Sequence, residues 1–183
     1  MKIYFIKIAF RGISPMIWRR FWIPGNTSLA DFHHIIQIAY GWDGDNLHRF
    51  HIYGKDYGIN YVGGIGFSDD VRKVYISDFE FDVNDKFIYE YNFFKHWFVD
   101  IRIENIKDVT TSKPAYCTKG NGMFGASKYD EMKATLNLLE AVVKAKKTTT
   151  VGDIRPFVDA LNEVRFNRHY INHSLQGELK NQY

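Results

Sequence analysis

One cysteine in 183 residues is the first constraint. Alone, Cys117 can form neither a disulfide framework nor a thiolate-based zinc site within the chain. Long apolar runs are missing too. No stretch approaches the ~18 uninterrupted apolar residues of a spanning helix, so no membrane association is expected. The N-terminal MKIYFIKIAFRG is apolar only between charges and has no small-residue cleavage pattern. It reads as a strand rather than a signal peptide, which places the chain in the cytoplasm. Concentrated positive charge is scarce as well: the net charge is +3 and the pI about 8.8. The one dense run, Lys144, Lys146 and Lys147, falls at the end of a predicted helix, where cations suit the negative dipole end. Local catalytic signatures are absent. There is no HExxH and no GxSxG, and GGIGF at 63–67 lacks the Lys-Ser/Thr of a phosphate loop.

Aromatic residues are what the chain has in excess. Fifteen Phe, twelve Tyr and four Trp make up 17% of it. Such rings bury large areas with defined packing geometry, so they serve either a core or a ring-lined ligand groove. Hydrophobic and charged shares of 45% and 25% are ordinary for a globular protein. The length fits one domain.

Periodicity orders the chain. Residues 3–11 alternate, with Tyr4, Ile6, Ile8 and Phe10 on one face and Lys7 and Arg11 on the other, as in a half-buried strand. A second strand runs from about Met16 to Ile23. Its Ile17, Arg19, Phe21 and Ile23 share one face, and Trp18, Arg20 and Trp22 the other. Bulk on both faces predicts an interior strand, paired antiparallel with the first. Thr27 or Ser28 caps a helix to Tyr40, stopped by Gly41. Its apolar stripe is Leu29, Phe32, Ile36 and Tyr40, with His33 near the centre and His34 to the side. The segment LHRFHIY is a strand with His48 on its apolar face, residues 54–70 are a long surface excursion, and VYISDF is a short element. Two more strands follow, KFIYEYNFF and WFVDIRIENI. Residues 110–127 read as loop. Helices are expected from Ser127 to about Lys147, after Asp153, and near Asn167.

The expected organisation is a single domain over 1–183. It comprises a sheet plus one helix at 1–109, a loop at 110–127, a helical part at 128–175, and a tail at 176–183. Strands grouped first and helices last give an α+β class. The sheet is mixed but mostly antiparallel, packed against one early helix and C-terminal helices.

Chemistry is expected where the apolar-face histidines meet the rings. His33 and His48, with Asp43 or Asp45, could hold zinc or another first-row divalent metal. The competing reading is a pair of inward-facing histidines hydrogen-bonded to backbone. Arg19 and Arg20 could bind phosphate or, stacked on aromatic rings, form ion pairs with Asp or Glu at the sheet edge. The candidate pocket is Arg19, His33, Trp42, His48, Tyr91, Asn92 and Trp97.

Taken in order, the motifs resemble the plasmid pRiA4b ORF-3-like family. They are PMIWRRFWIP at 15–24, FHHIIQIAYGW at 32–42, LHRF at 47–50, ISDF at 76–79, KFIYEYNF at 86–93, and Trp97. Beyond residue 110 the likeness thins to Pro114, Cys117, Gly120, Gly122 and Tyr129, with a faint echo at Phe166, Ile171-Asn172 and Leu175. The family pattern Tyr-Asp-Phe-Gly-Asp-x-Trp-x-His is altered here at Asn92, Phe94, Lys95 and Val99, and Asn46 stands where a His is common. Of those polar positions, His33 and His48 remain. The resemblance implies members on plasmids, within insertion sequences and in chromosomes, with no agreed reaction. Two functions are therefore expected: a non-catalytic binding or interaction module with a protein or nucleic-acid partner, linked to mobile elements and needing no cofactor; alternatively, a degenerate metal-dependent enzyme centred on His33 and His48.

Overall fold

The computed structural model describes residues 1–12, 16–42, 44–60, 65–111, 113–122 and 166–178. The described elements run β1 Lys2–Phe10, β2 Trp18–Pro24, α1 Leu29–Tyr40, β3 His48–Ile52 and β4 Lys55–Gly58. A 3-10 turn at Ile76–Phe79 follows, then β5 Lys86–Tyr91, β6 Trp97–Asp108, β7 Tyr116–Asn121 and α2 Arg168–Glu178. The seven strands form one sheet in the order β4-β3-β5-β6-β1-β2-β7. Every described pairing is antiparallel. This is a sheet-dominated α+β fold, with both described helices on one face. No described helix is long and apolar enough to cross a membrane.

Alternation decides which face is covered. Tyr4, Ile6, Ile8 and Phe10 of β1 point inward with Phe21 and Ile23 of β2, and with Val99, Ile101 and Ile103 of β6; all are buried. α1 lies over them. The Ser28 hydroxyl accepts from the Asp31 N–H at 3.0 Å, and the N–H of Gly41, at φ 66, reaches back to Gln37 and Ile38. Glycine takes that left-handed position without a Cβ penalty. Leu29, Phe32, Ile36 and Tyr40 are at most 1% exposed, as the helical stripe requires.

Two segments differ from expectation. Within 54–70, Lys55–Gly58 forms β4 on His48–Ile52. Within the expected loop 110–127, Tyr116–Asn121 forms β7 on β2. The sequence YCTKGN has almost no apolar alternation because, of its side chains, Cys117 alone is buried, and the strand's outer edge is held instead through its backbone. Asn172 of α2 accepts from the Cys117 N–H at 2.7 Å and donates to its carbonyl at 3.0 Å. The third expected helix begins at Arg168, and it continues through Glu178 rather than giving way to a tail at 176. The helices expected from Ser127 and after Asp153 lie outside the described residues.

Candidate functional site

On α1, His33 and Gln37 are four residues apart and so project from the same side of the helix. Opposite them, β3 supplies His48 and β5 supplies Tyr89. The two imidazoles stack with centroids 3.6 Å apart and planes 14° from parallel. The Tyr89 hydroxyl ties the group together: it lies 2.8 Å from His33 Nδ1 and accepts from Gln37 Nε2 at 2.7 Å. All four side chains are buried. Burial, helped by His48 and His34, pushes His33 down to about 2. Burial also lowers His48 to about 4, against the opposing pull of the Asn46 carbonyl. Both rings are neutral near pH 7.

Neutral imidazole is the form that binds metal, through an in-plane lone pair at ~2.0–2.1 Å for zinc. Nearly parallel rings at this separation cannot direct both lone pairs at one ion. Among the described residues, no three His, Cys, Asp or Glu side chains gather as a metal site. Asp43 lies outside the described residues.

The other expected site residues divide into separate groups. Trp42 stacks between Tyr40 and Tyr91, each at 4.9 Å, with Trp97 at 5.3 Å. This ring cluster adjoins the histidines through β5. Asn92 is a turn residue at φ 56, its Oδ1 accepting from the Lys95 N–H at 3.1 Å. Arg19 lies at the C-terminal end of α1 and shares Tyr40 with that ring cluster. Its described hydrogen bonds go to the carbonyls of Ala39, Trp18 and Asn121, and it packs over the Tyr40 and Phe166 rings. Tyr89 and Gln37 escaped the sequence reading. Tyr89 hides in an all-aromatic strand face, while Gln37 left one signal, a polar residue inside the buried run IIQIAY. Val99, where the family pattern has His, is the register partner of Tyr89.

Between α1 and α2 lies a cleft of about 500 Å³. His33, His34, Gln37, Asp45, Tyr170 and Ser174 line it. It contains no Lys or Arg among its described lining residues.

The opposite face of the sheet carries no described element and has a different character. Lys119, Arg20, Lys7, Arg102 and Lys86 are successive register partners across β7, β2, β1, β6 and β5. Direct register partners point to the same side, so five cations form one row. Beside it runs a parallel row of rings, Tyr116, Trp22 and Phe5, and Trp18 lies on the row's other flank. Arg20 pairs with Glu104 at 2.6 Å and packs over Trp18, as does Lys7. Arg102 donates to Asn84 at 2.8 Å.

Further along this face, Glu90 has a side chain only 4% exposed. It accepts from Arg49 and pairs with His96 Nδ1 at 2.7 Å, and Arg49 also reaches Asp56. Glu90→Gln removes the negative charge but keeps the shape. It is expected to cost about 1–2 kcal/mol, because the nearly buried ion pair with Arg49 is lost and the Gln oxygen is a weaker acceptor than a carboxylate. Urea denaturation at pH 7 checks this.

Comparison with known proteins agrees with the fold. A crystal structure titled as a protein of unknown function, MM3350 from Methanosarcina mazei Go1, superposes with a TM-score of 0.63 at 26% identity. The match covers 92% of this chain and 96% of that one. No curated protein matches. The family description "Plasmid pRiA4b ORF-3-like protein" matches residues 2–173, nearly the whole chain. This chain therefore belongs to the plasmid pRiA4b ORF-3-like family.

Proposed function

We propose that this protein is a non-catalytic binding module whose open sheet face holds single-stranded nucleic acid. The observation that carries this reading is the row Lys119–Arg20–Lys7–Arg102–Lys86. Like charges directly opposite each other on neighbouring strands destabilise a sheet. Glu104 offsets Arg20, but Lys7, Arg102 and Lys86 still face one another in register, a standing cost to the free protein that a polyanion laid across the strands relieves. At ~4.8 Å between strands the row extends for roughly 19 Å, the reach of a few nucleotides. The half-buried rings of Phe5, Trp18 and Trp22 beside it offer faces on which bases stack without regard to sequence. The α1–α2 cleft, with Asp45 and neutral His33, is unsuited to phosphate. Nucleic acid is therefore assigned to the open face.

Titration with an oligothymidylate of about ten nucleotides, followed by tryptophan fluorescence, tests this. Quenching is expected at micromolar concentration in low salt. The binding constant should fall with a log–log salt slope of about −3, corresponding to four or five phosphates. Lys7→Gln combined with Arg102→Gln should weaken binding about tenfold and flatten the slope by roughly one. The same pair should leave the melting temperature unchanged or slightly raised, because it removes repulsion. No quenching at tens of micromolar protein, or a slope indifferent to the double substitution, would sink the reading.

A further inference from the structure

The side of α2 turned away from the sheet carries a group that neither the open face nor the stacked imidazoles use. Ile171 and Leu175 are buried, and Asn172 is clamped to Cys117, so the rotation of the helix about its axis is fixed. That leaves His169 and His173 on the solvent side, both exposed. They are four residues apart, which sets their Cβ atoms roughly 5–6 Å from each other on one helical face. Asn167 holds the first turn in place. Its Oδ1 accepts from the Tyr170 N–H at 3.1 Å, and its carbonyl accepts from the Ile171 N–H at 3.2 Å. Both imidazoles line one open hollow of about 580 Å³, along with Tyr170 and Ser174. Neither makes a hydrogen bond or ion pair with a described residue.

This pair differs from His33 and His48 in the respect that matters to a metal. The stacked rings are locked in the core, whereas exposed rings rotate among their staggered wells. From adjacent turns, one nitrogen of each can therefore reach the same ion at the ~2.0–2.1 Å of a zinc–imidazole bond. The spacing is that of the two ligands in HExxH, which share a helix face for the same reason. Here the residue after the first histidine is Tyr170 rather than Glu, so the general base of that hydrolytic motif is missing.

We propose that His169 and His173 form a two-histidine site for a borderline first-row divalent cation: zinc, or its neighbours nickel and copper. Magnesium and calcium are excluded by their demand for oxygen ligands. Among the described residues no third His, Cys, Asp or Glu joins the pair, so water or an outside donor completes the coordination. An ion held with open positions serves as a docking point, not as a closed structural centre. Its place near the first turn opposes the helix dipole, a penalty of about fivefold at most at an exposed site. Chelation outweighs this, because once one imidazole has bound, the other is presented at high effective concentration.

The test titrates zinc chloride into the full, untagged chain while ¹H–¹⁵N spectra follow the histidine ring nitrogens. A single equivalent should bind and shift the His169 and His173 signals together, and millimolar magnesium should not compete. His169→Gln and His173→Gln should each weaken zinc binding at least about tenfold, as a chelate becomes a single attachment. Both positions are exposed, so without metal the variants should melt with the parent. Zinc shifts confined to other histidines, undiminished affinity in either variant, displacement by magnesium, or no binding at hundreds of micromolar zinc would each overturn the assignment. Oligonucleotide binding is read on the opposite face of the sheet, so either proposal can fail while the other stands.

Discussion

Replacing Arg19 by alanine is expected to cost the protein about 3–5 kcal/mol, more than any surface substitution discussed above. The guanidinium is fully buried. Burial pushes its pKa down, and the protein keeps it charged by surrounding it with oxygen and rings. Nε donates to Ala39, in the last turn of α1, where the helix dipole is negative. Another nitrogen donates to Trp18 at 2.9 Å and to Asn121 of β7 at 2.6 Å. The Phe166 ring covers the guanidinium at 4.8 Å. One side chain therefore joins β2, β7, α1 and the segment leading into α2. Arg19→Ala would leave buried carbonyls without donors and open a cavity beneath Phe166. At 2–4 °C per kcal/mol for a chain of this size, the melting temperature should drop by roughly 10 °C. Arg19→Lys keeps the charge but loses the planar fork, so it should recover only part of the loss. Gly120→Ala attacks the same junction without touching charge. A Cβ there would sit 2.6 Å from the Phe166 ring and 2.8 Å from Arg19 Cδ. Thermal and urea denaturation of the three variants reads the result. A loss under about 1 kcal/mol for Arg19→Ala would show that this junction does not hold the edge of the fold.

Acid should weaken the protein well above the range where carboxylates titrate. Unfolded, His33 and His48 bind protons near pH 6.5. Folded, they are pushed down to about 2 and about 4. Between roughly pH 4 and 6.5 the unfolded chain therefore holds more protons, and stability rises with pH across that window. On acidification the direction reverses: stability present at pH 7 is lost as the pH falls. From pH 7 to 5 the two imidazoles together should cost about 4 kcal/mol, and His48→Gln should halve that dependence. Asp69 and Asp85 are held below the usual carboxylate range by Lys55 and Tyr53, so they act only at lower pH. Urea midpoints at pH 7, 6 and 5 for the parent and His48→Gln provide the comparison. Parallel pH profiles would show that the stacked pair is not the source.

How much of this was legible beforehand varies by element. β1, β2 and α1 could be read because each buries one face, and burial imposes period 2 or 3.6 on apolar residues. Ser28 and Gly41 marked the ends of α1 for the same local reason. β7 was not legible: its partners are Asn172, Arg19 and Phe166, distant in sequence, and no pattern within YCTKGN records them. β4 is a short edge strand with one neighbour, so it also lacks a two-sided apolar signature.

The candidate sites divide in the same way. His33 and His48 could be placed on apolar faces from spacing alone, but not in contact with each other. That depends on β3 pairing with β5 beneath α1, a choice made by long-range strand register. The same register turned scattered cations into a row, since Lys119, Arg20, Lys7, Arg102 and Lys86 come from five separate segments. The amino-acid order by itself determined which face of each strand and helix would be apolar, because periodicity is a local property. Only the tertiary structure decided which polar groups meet, because strand order and helix docking bring together residues that share no local pattern.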